Sequence, residues 1–280
     1  MSADQQPFHP LFQKLARQLV KVSSKPLPKN VHQFRTATRR VEACLQELGP
    51  EPNRNQRKLR RQLSRLRRRA GRLRDIDVQV AALRTFKVPE EPARKTHILN
   101  VLSETRAKRE LKLVKAFHKK SVSEIRKRLK RAESDLAAVT KQFDSLSCAR
   151  RLLTDLLREP GPLDEDLLHQ YRIKGKRIRY IAELAGDVPE ATRMVAQLKR
   201  MQDALGDWHD WLTLTATVRH LISGTSSSPL LSALNNITRA KYRDAVRLVE
   251  ETRATFSKPA AAPKRRAPQA VARPAAAAVA

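Results

Sequence analysis

The sequence predicts an all-α protein, and three observations carry that prediction. Aromatic residues make up 4% of the 280 residues and glycines number seven, while Leu, Ala, Arg and Lys abound, which favours helices packed on helices over sheets closed by tight turns. Apolar residues recur at helical spacing, as in Leu59, Leu63, Leu66, Ala70 and Leu73. The segments "SSKPLPKN", "GPEPN", "KVPEEP", "REPGP", "GDVPE" and "GTSSSP" supply the punctuation that ends helices. An apolar fraction of 40% is enough for a packed core.

Taken in order, the periodicity predicts helices over about 8–22, 30–48, 55–86 with a break near Gly71, 93–118, 121–139, 143–158, 164–186, 190–205, 208–223 and 229–256. Asp164 and Ser228 are placed to cap the helices that follow them. From 257 to 280 the chain is rich in Ala, Pro, Lys and Arg and has no acid, which reads as a disordered basic tail of net charge +5.

The body contains an internal repeat. "VHQFRTATRRV" at 31–41 has a near twin in "LHQYRIKGKRI" at 168–178, so His32 and His169 lie 137 apart. Gly71 and Asp75 recur as Gly206 and Asp210, 135 apart. Two correspondences at nearly one offset imply duplication, and hence two similar helical bundles about a pseudo-twofold axis, within a body of 8–256 whose halves span about 8–140 and 143–256.

Lys and Arg number 58 against 28 acids, a formal charge of +30. A charge of that size repels itself in the compact state unless something anionic answers it, so a polyanionic partner is expected: nucleic acid, inorganic polyphosphate or an anionic membrane surface. Composition by itself favours nucleic acid. Cys44 and Cys148 have no C-x-x-C spacing, which argues against a disulfide framework or a zinc knuckle. No run approaches a membrane span, and the first residues lack a leader pattern, so a soluble cytoplasmic protein is expected.

On a helical wheel, Val31, Phe34, Thr38, Val41, Leu45 and Leu48 form one apolar stripe, with His32, Arg35 and Arg39 along its flank. The second copy repeats this with Leu168, Tyr171, Gly175, Ile178 and Ala182 flanked by His169, Arg172, Lys176 and Arg179. An ordinary solvated face interleaves Glu with Lys; stacking like charges a turn apart costs a few tenths of a kcal/mol per pair, a cost explained if phosphate oxygens lie between them. The stretch 54–74 holds 11 cations and no acid, with Arg60, Arg67 and Arg74 in a row seven apart. Asp75, Asp77, Asp203, Asp207 and Asp210 read best as helix caps and as carboxylates that orient arginines; no H-E-x-x-H or D-x-D-x-D-G pattern supports a metal or acid/base site.

These motifs resemble the CHAD family, α-helical domains named for their histidines. The likeness runs from about 8 to 256 and rests on "VHQFRTATRRV", "AGRLRDIDV", "LHQYRIKGKRIRY" and "LKRMQDALGDWHD" in that order. The resemblance implies two four-helix bundles around a basic cavity that binds inorganic polyphosphate, often in polyphosphate granules. Carried over by motif, the anion-binding positions are His32, Arg35, Arg39, Arg40, Arg74, His169, Arg172, Lys176, Arg177, Arg179 and Lys199. Glu42 stands where another cation is usual, His209 where Asn is usual, and Ser64 opposite Lys199 in the repeat, so the second half looks better preserved. Fusion partners in the family carry E-x-E-x-K, and no two glutamates here are spaced i, i+2.

The expectation is therefore a noncatalytic polyphosphate-binding module without a cofactor, its tail adding affinity for polyanions. The alternative is a nonspecific DNA- or RNA-binding protein of the nucleoid, with the tail contacting nucleic acid. A third, an enzyme acting on phosphoanhydrides, requires turnover and a divalent metal. Scarce aromatics count against single-stranded nucleic acid, which gains about 1–3 kcal/mol per stacked base. The sequence identifies no protein partner.

Overall fold

The computed structural model describes residues 8–49, 51–87, 90–139, 144–159, 161–222 and 228–257. Among them are nine α-helices and no strand: α1 (His9–Ser24), α2 (Pro28–Glu47), α3 (Arg54–Thr85), α4 (Pro92–Ala116), α5 (Lys119–Val139), α6 (Ser145–Leu157), α7 (Glu165–Ala182), α8 (Pro189–Leu221) and α9 (Pro229–Ser257). A 3-10 turn, Glu183–Ala185, follows α7. The tail expected at 257–280 lies, except for Ser257, outside the described residues, as does the junction between the halves at 140–143.

The helix starts follow local chemistry. Proline occupies the first turn of α1, α2, α4 and α8, where its missing N–H has no helical partner to lose. Asn53, Asp144 and Asp164 cap α3, α6 and α7, with Asp164 accepting from the Leu167 N–H at 2.8 Å. Ser228 Oγ accepts from the Leu231 N–H at 3.3 Å and donates to Glu91 at 2.6 Å, tying the start of α9 to that of α4.

Two expected helix breaks do not occur. α3 runs unbroken through Gly71, and 190–205 and 208–223 are one helix, α8, through Gly206. A glycine ends a helix by taking positive φ; only Gly161 (110°) and Gly186 (67°) do so among the described residues. Leu205 and Trp208, on either side of Gly206, are both buried, so the core holds the helix together there.

α1, α2, α3 and α5 pack around one another, as do α6, α7, α8 and α9. One continuous apolar core, from Phe8 and Phe34 through Leu63 and Leu129 to Tyr171, Leu198 and Val249, joins the two sets. A second cluster forms where the C-terminal halves of α3 and α8 meet the N-terminal halves of α4 and α9, around Ile76, Leu83, Ile98, Leu214 and Leu230. α9 serves along α8 the role that α4 and α5 divide along α3, so the first half has one helix more. The helices bearing the repeated motifs meet: α2 packs on α7, and α3 on α8. None of the described helices is long and apolar enough to cross a membrane.

Candidate polyanion-binding cleft

The site begins with the burial of the two stripes. Val31, Phe34, Thr38 and Val41 are buried on α2, and Leu168, Tyr171, Gly175 and Ile178 on α7. Thr38 is accommodated because its hydroxyl donates to the Phe34 carbonyl at 2.8 Å. With the stripes inward and α2 against α7, the flanks carrying His32, Arg35, Arg39 and His169, Arg172, Lys176 converge. The spacing of zero, three and seven residues is the same on both helices, so the cations stack along the seam.

The electrostatics of the seam are those of crowded, half-buried cations. Burial, aided by Arg172, Arg39 and Arg35, pushes the Lys176 ammonium down to about 7. Burial and Arg39 lead the effects that bring the Arg35 guanidinium down to about 10. Burial and Arg39 also lower Arg172. His32 is lowered by burial, then by Arg74, Arg35 and Lys176; His169 by burial, then by Arg172 and His209. Asp75 and Asp210 oppose these effects from α3 and α8, and Asp75 lies 3.7 Å from Arg35. The Nε atoms of Arg35 and Arg172 are shielded from solvent and have no hydrogen-bond partner within the protein. Such donors cost about 1–3 kcal/mol each when left unmade.

The seam opens into a cleft of about 710 Å³ between α2, α3 and α7. Eight of its fourteen lining residues are Arg or Lys, and one, Glu42, is acidic. Arg39 and Lys176 belong to both the seam and the cleft, which makes one continuous cationic surface. Gly71 faces this region: a Cβ there would sit 3.7 Å from the Arg35 guanidinium, in ordinary van der Waals contact.

The structure sorts the predicted positions. His32, Arg35, Arg39, Arg74, His169, Arg172 and Lys176 gather at the seam. Arg60, Arg67 and Arg177 line the cleft, although Arg67 pairs with Glu42 at 2.8 Å and Arg177 with Glu47 at 3.2 Å. Arg40 and Arg179 are engaged elsewhere: both pair with Glu183 and both lie 5.3 Å from the Tyr180 ring centroid. Lys199 is exposed and pairs with Asp203 one turn on, at 2.6 Å. For Arg40 the reason is angular, because it follows Arg39 by about 100° around its helix; Arg179 shares the flank of Arg172 and Lys176 and is drawn off by Glu183 one turn on.

The aspartates divide likewise. None of the five caps a helix, since all lie inside α3 or α8. Asp75 orients Arg35, whereas Asp77 binds Arg106 at 2.7 Å and Asp203 and Asp207 pair with Lys199 and Lys241. Asp210 lies 3.7 Å from His209, which stacks on His169 with ring centroids 6.0 Å apart. His209 and the cleft-lining Arg61, Arg65 and Arg68 were missed by wheel geometry. The offset of 135, which pairs the predicted Arg74 with residue 209, was the signal for His209; the acid-free run 54–74 was the signal for the arginines. Among the described residues no group of three or more His, Cys, Asp or Glu is placed to hold a metal ion.

Comparison with known proteins agrees with this architecture. No curated protein matches the chain. A crystal structure of the CHAD domain from the plant Ricinus communis superposes with a TM-score of 0.67 at 18% identity, covering 95% of this chain and 93% of that one. The family model of the CHAD domain matches residues 8–219, from the start of α1 almost to the end of α8. The chain belongs to the CHAD-domain family.

Proposed function

We propose that the chain is a noncatalytic module that binds inorganic polyphosphate along the α2–α7 seam and the adjoining cleft, and that it associates with polyphosphate granules. One observation carries this reading: cations on two helices, spaced alike, meet at one seam, where burial and then their own repulsion lower the protonation of Arg35, Arg172 and Lys176. A chain of phosphates supplies at each step the negative oxygens those groups lack, through charge-assisted hydrogen bonds. Histidines such as His32 and His169 add donors when protonated. Asp75 and Asp210 sit beside Arg35 and His209, a positioning role that suits a binding site and needs no turnover.

The test is charge reversal combined with competition. The double variant Arg172→Glu/Lys176→Glu should lose retention of long-chain polyphosphate while keeping its helical circular dichroism. Long-chain polyphosphate should displace duplex DNA from the wild type at far fewer phosphate equivalents than the reverse. Equal binding by the variant across a salt titration removes the site, and preferential capture of DNA makes the chain a nucleic-acid binder.

A further inference from the structure

We propose that the outer face of α3 is a linear extension of the cleft, an arginine rail that engages polyphosphate chains too long for the cleft and so selects long chains over short ones. This rests on the polyphosphate reading above.

Arg54, Arg57, Arg61, Arg65, Arg68 and Arg72 follow one another at intervals of three, four, four, three and four residues. At about 100° per residue they fall within a strip about 80° wide, running about 27 Å along the helix. All six are exposed. The core stripe of Leu59, Leu63, Leu66 and Ala70 lies well round the helix, so burial does not explain the rail.

The rail carries no countercharge of its own. Other exposed cations do have a carboxylate partner, as Arg150 has Glu190 and Arg247 has Glu251. Among the described residues no rail arginine forms such a pair; Arg57 donates to the Pro52 carbonyl at 2.6 Å and Arg68 to Ser64 Oγ at 3.3 Å. Neighbouring like charges at these spacings oppose the helix by a few tenths of a kcal/mol per pair, and salt lessens but does not reverse that. The rail is also joined to the cleft, because Arg61, Arg65 and Arg68 line both. Its outer members, Arg54, Arg57 and Arg72, are not among the residues that line the cleft. A short phosphate oligomer seated in the cleft leaves Arg54, Arg57 and Arg72 empty, whereas a long chain leaving the cleft follows the rail to them.

The experiment uses the full chain, with sodium tripolyphosphate and long-chain polyphosphate as probes in calorimetric titrations at several salt concentrations. In the wild type the long chain should bind more tightly and with a steeper dependence of log K on log salt. Arg54→Gln/Arg57→Gln/Arg72→Gln should leave tripolyphosphate affinity unchanged and make the long-chain slope shallower by about 2, at about 0.7 per lost phosphate contact for a single strand. The triple Lys variant at the same positions should restore the slope. An unchanged long-chain slope in the Gln variant, with wild-type binding intact, overturns the rail and leaves the cleft standing. Failure of the wild type to bind either probe overturns both. A variant that loses duplex DNA affinity while keeping its long-chain slope makes α3 a nucleic-acid surface and overturns the rail as well.

Discussion

Glu42 Oε2 lies 2.8 Å from Arg67 Nε at the wall of the cleft, and Glu42 is the one carboxylate among the cleft-lining residues. Burial raises its pKa against the pull of Arg67, Arg39 and Arg60, so the carboxylate is held in a place that disfavours its charge. Glu42→Gln removes that charge, frees Arg67 and should tighten polyphosphate binding several-fold, about 1 kcal/mol, as measured by calorimetry at fixed salt. A weaker complex would mean that Glu42 is needed to aim Arg67.

Lys176 makes binding depend on pH. In the empty protein its ammonium is pushed down to about 7, mainly by burial and then by Arg172, Arg39 and Arg35. A bound phosphate restores the charged form, so binding takes up a proton above pH 7. Affinity should then fall as pH rises from about 7 toward 10, by at most tenfold per unit. Lys176→Arg should flatten that window, and the protons taken up should appear as a buffer-dependent enthalpy in calorimetry. An identical pH profile in the variant rules Lys176 out as the titrating group.

The same group affects the stability of the empty protein, and the sign follows from linkage. Between about pH 7 and its ordinary pKa, the folded chain binds fewer protons at Lys176 than the unfolded chain, so stability rises with pH across that range. Lys176→Met should raise the midpoint of thermal unfolding at pH 7 in phosphate-free buffer and reduce its rise with pH. A lower midpoint at every pH would show that the ammonium contributes a contact worth more than its desolvation costs.

Arg40, Arg179 and Lys199 provide the counter-test. Arg40 and Arg179 share Glu183 and flank Tyr180, while Lys199 pairs with Asp203 on the exposed side of α8. Arg40→Gln with Arg179→Gln should lower stability by about 1–2 kcal/mol in urea, having left Glu183 unpaired, and change polyphosphate affinity less than twofold. Lys199→Gln should change neither, because an exposed i, i+4 pair contributes about 0.3–0.5 kcal/mol. A tenfold loss of affinity in either variant would return these residues to the site.

Gly175 sets the distance between α7 and α8. A Cβ at this position would stand 2.8 Å from Met201 Cε, and Gln202 Nε2 donates to the Gly175 carbonyl at 2.8 Å. Gly175→Ala should therefore destabilise the fold by about 1–3 kcal/mol, through overpacking of a core that already buries Met201 completely. Increased stability would show that the methionine swings aside and that helix propensity dominates.

The sequence alone determined the helices, their caps at Asp164 and Ser228, the duplicated motif and the surplus of positive charge. These are properties of local spacing and composition, and residues three, four and seven apart on a helix share a face whatever that face meets. It placed His32, Arg35, Arg39, His169, Arg172 and Lys176 correctly on two flanks for that reason. Only the tertiary structure decided that the flanks meet, because α2 packs on α7 through side chains more than 130 residues apart. It also decided that Glu183 takes Arg40, that Glu42 takes Arg67, that His209 stacks on His169, and that α3 and α8 continue through their glycines. Charge pairing and burial depend on neighbours brought by other helices, and no periodicity within one helix records them.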